Sequence, residues 1–323
     1  METPAPSLTA RPRIAVIGGG ANSEHDVSLA SAAAVARAID PARFELVSLT
    51  IDRDGGWSEG GESRSFAEAV DVLQSCALAF PVLHGPRGED GTVAGLLELA
   101  GVAYVGSGVR AGAIAMDKWT TKLVADAVGV TTARGALLDR GHTPTTMTTP
   151  VVVKPVASGS SFGVSLVHDP SLLTSAIEAA FRFDGRVLVE ELLVGREVDV
   201  AVLGRPDGSR LVGAPLEIVV DGGLFDLETK YDGSADFRVP AQLPAAVRAQ
   251  LERAAVALYN ALGCAGVARV DFFVTPDGIV LNEVNTMPGM TDLSQVPRMF
   301  AAIGIPYAEL VEMLIVDALG TTR

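Results

Sequence analysis

A hairpin near the C-terminus limits most strongly what this chain can fold into. Residues 267–274 and 279–285 are apolar stretches typical of two strands, and Pro276, Asp277 and Gly278 lie between them. Proline presets φ and glycine accepts positive φ, so these residues favour a tight turn. The second strand is therefore expected to fold back, antiparallel, along the first.

The polar residues of this hairpin predict a site. Glu283 and Asn285 are two residues apart on one strand, so they point to the same face, and the hairpin brings Asp271 close to them. Two carboxylates and an amide oxygen suit Mg²⁺ held together with substrate phosphates. Arg269 adds a cation on the face of Asp271. The alternative is an ordinary hairpin whose charged side chains are solvated.

The composition sets the class of protein. A chain of 323 residues with 48% hydrophobic and 20% charged residues can form two or three globular domains. The net charge of −14 argues against a nucleic-acid partner, although local lysines can still bind an anionic substrate. Cys76 and Cys264 lie in apolar contexts and are expected to be buried thiols.

The sequence also predicts a location. No apolar run is long enough to cross a membrane, so no membrane association is expected. Residues 1–12 lack a basic segment followed by an apolar one, so they do not resemble a signal peptide. They are expected to form a disordered tail, and the cytoplasm is the expected location.

Glycine-rich turns follow strand-like stretches in the first third of the chain. Residues 13–17 run into glycines 18–20, and a helix is expected at residues 27–39. This order is typical of a nucleotide-binding βα unit, although the full G-x-G-x-x-G pattern is missing. A strand at residues 77–83 ends in a polar loop that begins with His84. That loop is either a wall of a site, at the carboxyl end of a strand, or a plain turn.

The middle of the chain contains a second candidate site. One helix is expected at residues 109–127, and residues 131–150 form a connector with little periodicity. Lys154 interrupts an apolar strand, so it must be paired or must face a ligand. The small residues of the next loop, 156–163 (VASGSSFG), let backbone N–H groups approach an anion. The loop is either a lid over phosphates or an ordinary solvent loop.

The last third adds regular elements around the hairpin. Strands are expected at residues 197–203 and 211–219, and helices at residues 243–262 and 307–319.

Seven stretches, in one order along the chain, resemble the ATP-grasp superfamily, and within it the D-alanine–D-alanine ligases. They are residues 23–28 (SEHDVS), 83–91 (LHGPRGEDG), 116–118 (MDK), 154–163, 229–231 (TKY), 269–271 (RVD) and 282–291 (NEVNTMPGMT). The resemblance implies an α/β fold of three domains, with ATP between the second and third. These would be residues 13–106, which hold the first D-alanine site, residues 107–190 and residues 191–323.

The resemblance implies an activity as well. ATP would drive the ligation of two D-alanines through an acylphosphate, with one or two Mg²⁺ (or Mn²⁺) ions, for peptidoglycan synthesis. A homodimer is expected. The alternative is the same chemistry with another acceptor, such as D-serine, D-lactate or another amine. A non-catalytic nucleotide-binding protein is disfavoured, because the expected phosphate, metal and oxyanion residues are all present.

The resemblance assigns the site residues in four overlapping sets. The ATP-binding set is Lys118, Lys154, Ser160, Ser161, Glu190, Glu191, Leu193, Glu197 and Lys230. The catalytic set is Glu24, Ser160, Tyr231, Arg269 and Gly289. The substrate-binding set is Glu24, His84, Arg269, Gly289, Ser294 and Gln295. The metal-binding set is Asp271, Glu283 and Asn285.

In these sets Glu24 would bind the ammonium of the first D-alanine and join Ser160 and Tyr231 in a hydrogen-bonded trio. Arg269 and the Gly289 N–H would stabilise the oxyanion of the tetrahedral intermediate, and Ser294 would bind the carboxylate of the second substrate.

Three positions bear on the acceptor. Tyr231 stands where ligases that make D-alanyl-D-lactate have histidine, which favours an amine acceptor. Met287 stands where the family commonly has serine or leucine. Gln295 stands where leucine or methionine is expected, and an amide there could accept a polar side chain such as that of D-serine.

Overall fold

The computed structural model describes residues 11–141, 150–219 and 236–320. Its helices are α1 (His25–Ala38), α2 (Phe66–Gln74), α3 (Thr92–Leu99), α4 (Val109–Met116), α5 (Lys118–Ala127), α6 (Leu173–Ala180), α7 (Ala245–Leu262), α8 (Gln295–Ala301) and α9 (Tyr307–Leu319). Its strands are β1 (Arg13–Gly19), β2 (Glu45–Ile51), β3 (Trp57–Glu59), β4 (Glu62–Arg64), β5 (Leu78–Pro81), β6 (Gly135–Asp139), β7 (Val151–Pro155), β8 (Ser165–Val167), β9 (Arg186–Glu191), β10 (Arg196–Gly204), β11 (Arg210–Val212), β12 (Leu216–Val219), β13 (Asp236–Arg238), β14 (Val267–Thr275) and β15 (Gly278–Asn285).

The first sheet has the order β4-β3-β2-β1-β5, with β1 parallel to both of its neighbours. Strand β1 is an almost unbroken apolar run because both of its faces are covered, as is usual for parallel strands. Ile14 and Val16 pack in the same cluster as residues of α1 and α9, whereas Ala15 and Ile17 pack with residues of α2 and α3. The last helix of the chain therefore covers its first sheet.

The second sheet has the order β6-β9-β7-β8 and is antiparallel throughout. Helix α6 packs against β7 and β8, and the apolar residues of both form one core cluster. Strand β6 lies inside the segment expected to be an irregular connector, so that expectation was wrong for residues 135–139. The sequence of this segment lacks the alternation of apolar and polar residues that indicates a strand, and the strand forms because it pairs with β9.

The third sheet has the order β13-β12-β10-β14-β15, with β11 beside β10. Strands β14 and β15 confirm the predicted hairpin, and their register places Asp271 opposite Glu283 and Arg269 opposite Asn285. A bulge follows Asp271, because Phe272 pairs with Leu281 and leaves one extra residue in β15. Helices α4, α5 and α7 supply the apolar cluster behind this sheet.

Two predicted elements are interrupted. The helix expected at residues 109–127 breaks at Asp117, whose backbone is extended (φ −83°, ψ 97°) and whose carboxylate caps α5 by accepting the Thr120 N–H at 2.8 Å. The strand expected at residues 211–219 is interrupted at residues 213–215, where Pro215 lacks an N–H donor.

The remaining expectations concern burial and boundaries. Both cysteines are buried and free, as predicted. Among the described residues, every helix is too short or too polar to cross a membrane. The boundaries at residues 106/107 and 190/191 stay a prediction. The expected tail falls mostly on residues 1–10, which lie outside the described residues.

Replacing Asp117 tests the break between α4 and α5. Asp117→Ala removes the helix cap and the ion-pair partner of Arg186, so we expect the free energy of unfolding to fall by about 1–2 kcal/mol in urea denaturation. Asp117→Asn keeps a capping acceptor and should retain most of that stability. The control is Asp126→Ala, an exposed acid near the end of α5, which should change the free energy of unfolding by less than about 0.5 kcal/mol. Equal losses in both alanine variants would contradict the capping role.

Candidate active site

A cleft of about 1070 Å³, counting its open mouth, lies between the second and third sheets. One wall comes from β7, β9 and the loop after β7, and the other from β10, β14 and β15. The residues of the predicted sets that line it are Lys118, Lys154, Ser160, Ser161, Glu190, Glu191, Leu193, Glu197, Arg269, Asp271 and Glu283. Lys230 and Tyr231 lie outside the described residues.

The polar face of the hairpin forms the floor of the cleft. The Asp271 carboxylate is buried and accepts two N–H bonds from Arg269, both at 2.7 Å, and one from the Asn285 amide at 2.8 Å. Glu283, across the strand pair, lies 3.3 Å from the Lys118 ammonium. Residues 11–141, 150–219 and 236–320 contain no cluster of three or more His, Cys, Asp or Glu that could hold a metal. The predicted metal-binding set of Asp271, Glu283 and Asn285 has only two carboxylates, with an amide as its third member, so it does not form such a cluster.

Arg269 is largely buried, with 15% of its side chain exposed. Burial alone would lower the pKa of its guanidinium, but the adjacent Asp271 and Asp199 carboxylates raise that pKa further above its ordinary value. The arginine is therefore a permanent positive charge beside the hairpin carboxylates.

A buried cluster of two lysines and one glutamate lies at the other end of the cleft. Lys154 lies 2.5 Å from the Glu190 carboxylate, and Lys122 contacts the same carboxylate. Burial raises the pKa of Glu190, but the two ammonium groups outweigh it and hold that pKa below its ordinary value. Burial also lowers the pKa of Lys122.

Sequence reasoning missed Lys122. A usable signal existed, because Lys122 is four residues after Lys118 in α5 and so lies on the same helix face. The break at Asp117 aims that face at the cleft. Lys118 donates to the Ser158 carbonyl at 2.8 Å and so also anchors the loop after β7.

The loop after β7 contacts the first domain at Glu24. The Ser160 hydroxyl donates a hydrogen bond to the Glu24 carboxylate, and these are two members of the predicted trio. A Cβ atom at Gly85 or Gly159 would lie 2.5 or 2.6 Å from that carboxylate, so a larger residue at either position would have to displace the Glu24 side chain. Glu24 is thus enclosed by two glycines and a serine.

The conformation of this loop is unusual. Ser160 and Ser161 both have positive φ, 47° and 58°, which is uncommon for residues other than glycine. The loop base is held by the Asp184 carboxylate, which accepts the Ala157 N–H at 2.6 Å, and by the packing of Phe162 on the ring of Phe183. Such strain is typical of segments that clamp ligands.

His84 joins the first domain to the segment after the hairpin. Its ring nitrogens contact the Met287 carbonyl at 2.9 Å and the Ser31 hydroxyl at 3.0 Å, and Glu89 lies 3.6 Å from Nδ1. Burial lowers the pKa of His84, but the nearby carboxylates of Glu89 and Glu24 outweigh it and leave that pKa raised. Met287 also accepts the backbone N–H of residue 83 through its sulfur at 3.0 Å.

The remaining predicted residues gather between the hairpin and α8. The Ser294 hydroxyl lies 2.7 Å from the Thr291 hydroxyl, and a Cβ atom at Gly289 would lie 3.1 Å from it. Gln295 contacts Arg269 at 2.5 Å. The predicted substrate residues thus adjoin the floor of the cleft.

The chain was compared with known proteins. The family model described as "D-ala D-ala ligase C-terminus" matches residues 130–316, and "D-ala D-ala ligase N-terminus" matches residues 13–74 and 59–107. A D-alanine–D-alanine ligase of Nocardia farcinica is 42% identical over 356 residues, covering 97% of this chain and 98% of the relative. A D-alanine–D-alanine ligase A of Mesorhizobium japonicum is 40% identical over 350 residues, covering 96% and 98%.

Solved structures agree. The VanG D-Ala:D-Ser ligase of Enterococcus faecalis has a TM-score of 0.84 and 35% identity, covering 96% of this chain and 100% of that chain. The D-alanine–D-alanine ligase of Bacillus anthracis, complexed with ATP, has a TM-score of 0.81 and 30% identity, covering 95% and 97%.

His84 predicts a pH dependence of stability. Its pKa is higher in the folded protein than the ordinary 6.5, so its contribution is present in full below about pH 6.5 and is lost as the pH rises through the folded pKa. Glu89→Gln removes the charge that holds the proton, so the fall in Tm between about pH 6 and pH 9 should shrink. Exposed Glu178→Gln is the control. An unchanged slope in Glu89→Gln would contradict the assignment.

Proposed function

The chain belongs to the D-alanine–D-alanine ligase family, and from this premise we propose that it joins two D-alanines with the energy of ATP. The product is D-alanyl-D-alanine, a precursor for peptidoglycan. Family membership also confirms the expected α/β ATP-grasp fold. The observation that carries the proposal is the cleft itself, where lysines of the second sheet and α5 face the carboxylates and arginine of the hairpin.

ATP lies in this cleft in our proposal. The adenine contacts Glu190, Glu191 and Leu193, and Glu197 meets the ribose hydroxyls. The phosphates lie under the loop of Ser160 and Ser161 and are bound by Lys118, Lys154 and Lys230. Support comes from the charges, because phosphoryl transfer depends mainly on positioning and on neutralising the phosphates.

Asp271, Glu283 and Asn285 are the proposed ligands of Mg²⁺ or Mn²⁺. Their hard oxygens fit such an ion, and the few protein ligands leave positions for phosphate oxygens and water. The bound ion supplies charge neutralisation on the phosphates. Lys118, at 3.3 Å from Glu283, is the cation of the described chain closest to that carboxylate.

The proposed reaction has two steps. A carboxylate oxygen of the first D-alanine attacks the γ-phosphorus, and the bond from that phosphorus to the β,γ-bridging oxygen breaks. ADP departs, and the D-alanine is now an acylphosphate. The neutral amine of the second D-alanine then attacks the acyl carbon. The bond to the phosphate oxygen breaks next, phosphate is released, and the nitrogen loses a proton.

The chain supplies three kinds of assistance to these steps. Glu24 binds the ammonium of the first D-alanine beside His84, and Ser160 and Tyr231 complete the trio that closes the site. Arg269 and the Gly289 N–H stabilise the oxyanion of the tetrahedral intermediate. Ser294 binds the carboxylate of the second D-alanine, next to Gln295.

We also propose that the enzyme acts as a homodimer in the cytoplasm. Both statements rest on family membership. Light scattering of the purified protein would test the dimer.

The proposed function predicts turnover with D-alanine as the only amino acid. With Mg-ATP and D-alanine alone, we expect phosphate release and a dipeptide identified by mass. Omitting D-alanine is the control and should stop phosphate release. If turnover occurs only after D-serine or D-lactate is added, the acceptor is that compound and not D-alanine, and the proposed product is overturned.

The proposed oxyanion role predicts a large loss of activity when Arg269 is replaced. Arg269→Ala should lower kcat at least about 100-fold, because one oxyanion donor is worth roughly 3–4 kcal/mol, while ATP binding persists. Arg269→Lys keeps the charge but loses the fork and should also be impaired. The control is Arg238→Ala, an exposed arginine on β13. Turnover at the normal rate in Arg269→Ala would refute the oxyanion role.

A further inference from the structure

Gln295 connects two buried charged residues through its amide. Its Oε1 atom accepts a hydrogen bond from Arg269 Nη1 at 2.5 Å, and its Nε2 atom donates one to Asp199 Oδ2 at 2.9 Å. If the amide were reversed, its N–H groups would face the Arg269 N–H and its oxygen would face the Asp199 carboxylate. The two partners therefore dictate the orientation of the amide. Both ends of the amide are therefore engaged within the chain.

These contacts determine how Arg269 is held. A guanidinium has five N–H donors, of which Nε and one N–H of Nη2 bind Asp271 and one N–H of Nη1 binds Gln295. Within the described part of the chain, one N–H on each terminal nitrogen is left for a ligand. Arg269 lines the cleft, so this pair is available to an oxygen there.

Asp199 explains why a neutral amide, that of Gln295, lies beside Arg269. It is fully buried in β10, directly across the strand pair from Asp271, and lies 3.5 Å from Arg269 Nε. Two carboxylates thus compete for one guanidinium. The Gln295 amide satisfies one oxygen of Asp199 and gives Nη1 a third, neutral anchor.

We propose that Gln295 is a positioning residue for the arginine of the proposed ligase reaction, on which this inference rests. Its amide fixes the guanidinium between Asp199 and Asp271, so that the remaining N–H pair meets the developing oxyanion. It does not contact the side chain of the acceptor, in contrast to the role for Gln295 considered from the sequence. A positioning role acts on the transition state, so kcat and not KM depends on Gln295.

Gln295→Met tests this first. Methionine has a similar length and no strong hydrogen-bonding group. We expect kcat to fall roughly 10- to 100-fold, as for a misplaced catalytic group, while KM for the second D-alanine stays within about twofold. The matched control is Gln74→Met, an exposed glutamine on α2, which should leave both constants unchanged. A raised acceptor KM with an unchanged kcat would make Gln295 a substrate contact and overturn the inference.

A charge exchange tests the hydrogen-bond chain directly. Gln295→Glu places a carboxylate against Asp199 and should lower kcat about as much as Gln295→Met. Adding Asp199→Asn restores the chain in reverse, because the new amide donates to the new carboxylate, which still accepts from Arg269. We expect the double variant to regain at least about tenfold in kcat over Gln295→Glu. No gain would contradict the proposed chain.

Thermal unfolding without substrates separates this inference from the proposed function. Gln295→Glu should lower Tm by about 2–4 °C, and adding Asp199→Asn should restore most of it. This pattern supports the hydrogen-bond chain even if wild-type protein fails to ligate D-alanine, a result that would refute the proposed function alone. A Tm of Gln295→Glu equal to that of the wild type would overturn the inference.

Discussion

The paired N–H bonds between Arg269 and Asp271 are the interaction on which the site depends. Both residues point to one face of β14, and the register of the hairpin brings Asn285 and Glu283 beside them. A buried arginine that is held at both ends is costly to desolvate and therefore needs all its partners. The hairpin, β10 and α8 must be assembled together for this charge to be stable.

The lysines of the cleft are paired with carboxylates before any ligand enters. Glu190 is shared by Lys122 and Lys154, and Glu283 lies beside Lys118. A phosphate that binds these lysines exchanges partners with carboxylates already present. Breaking these internal ion pairs offsets part of the binding free energy of an anionic ligand. Ligands with several negative charges are therefore favoured over ligands with one.

Much of the hairpin was predictable, because its turn residues and alternating side chains are local signals. The sequence could not reveal β6, which exists through its pairing with β9, or the ion pair that joins Asp117 to Arg186, 69 residues away. Lys122 carried a helical-spacing signal that was overlooked. The partners of Gln295 come from strands 26 and 96 residues away, and no local pattern encodes them.

Helix α9 covers the first sheet, and this has a consequence for how the chain is made. Ile14 and Val16 belong to the same apolar cluster as Leu310 and Leu314. A ribosome releases the N-terminal end of this cluster hundreds of residues before the C-terminal end, at about 5–20 residues per second. The part of the first sheet that α9 covers stays open to solvent or chaperones for the rest of synthesis, so the first domain to emerge is the last to be completed.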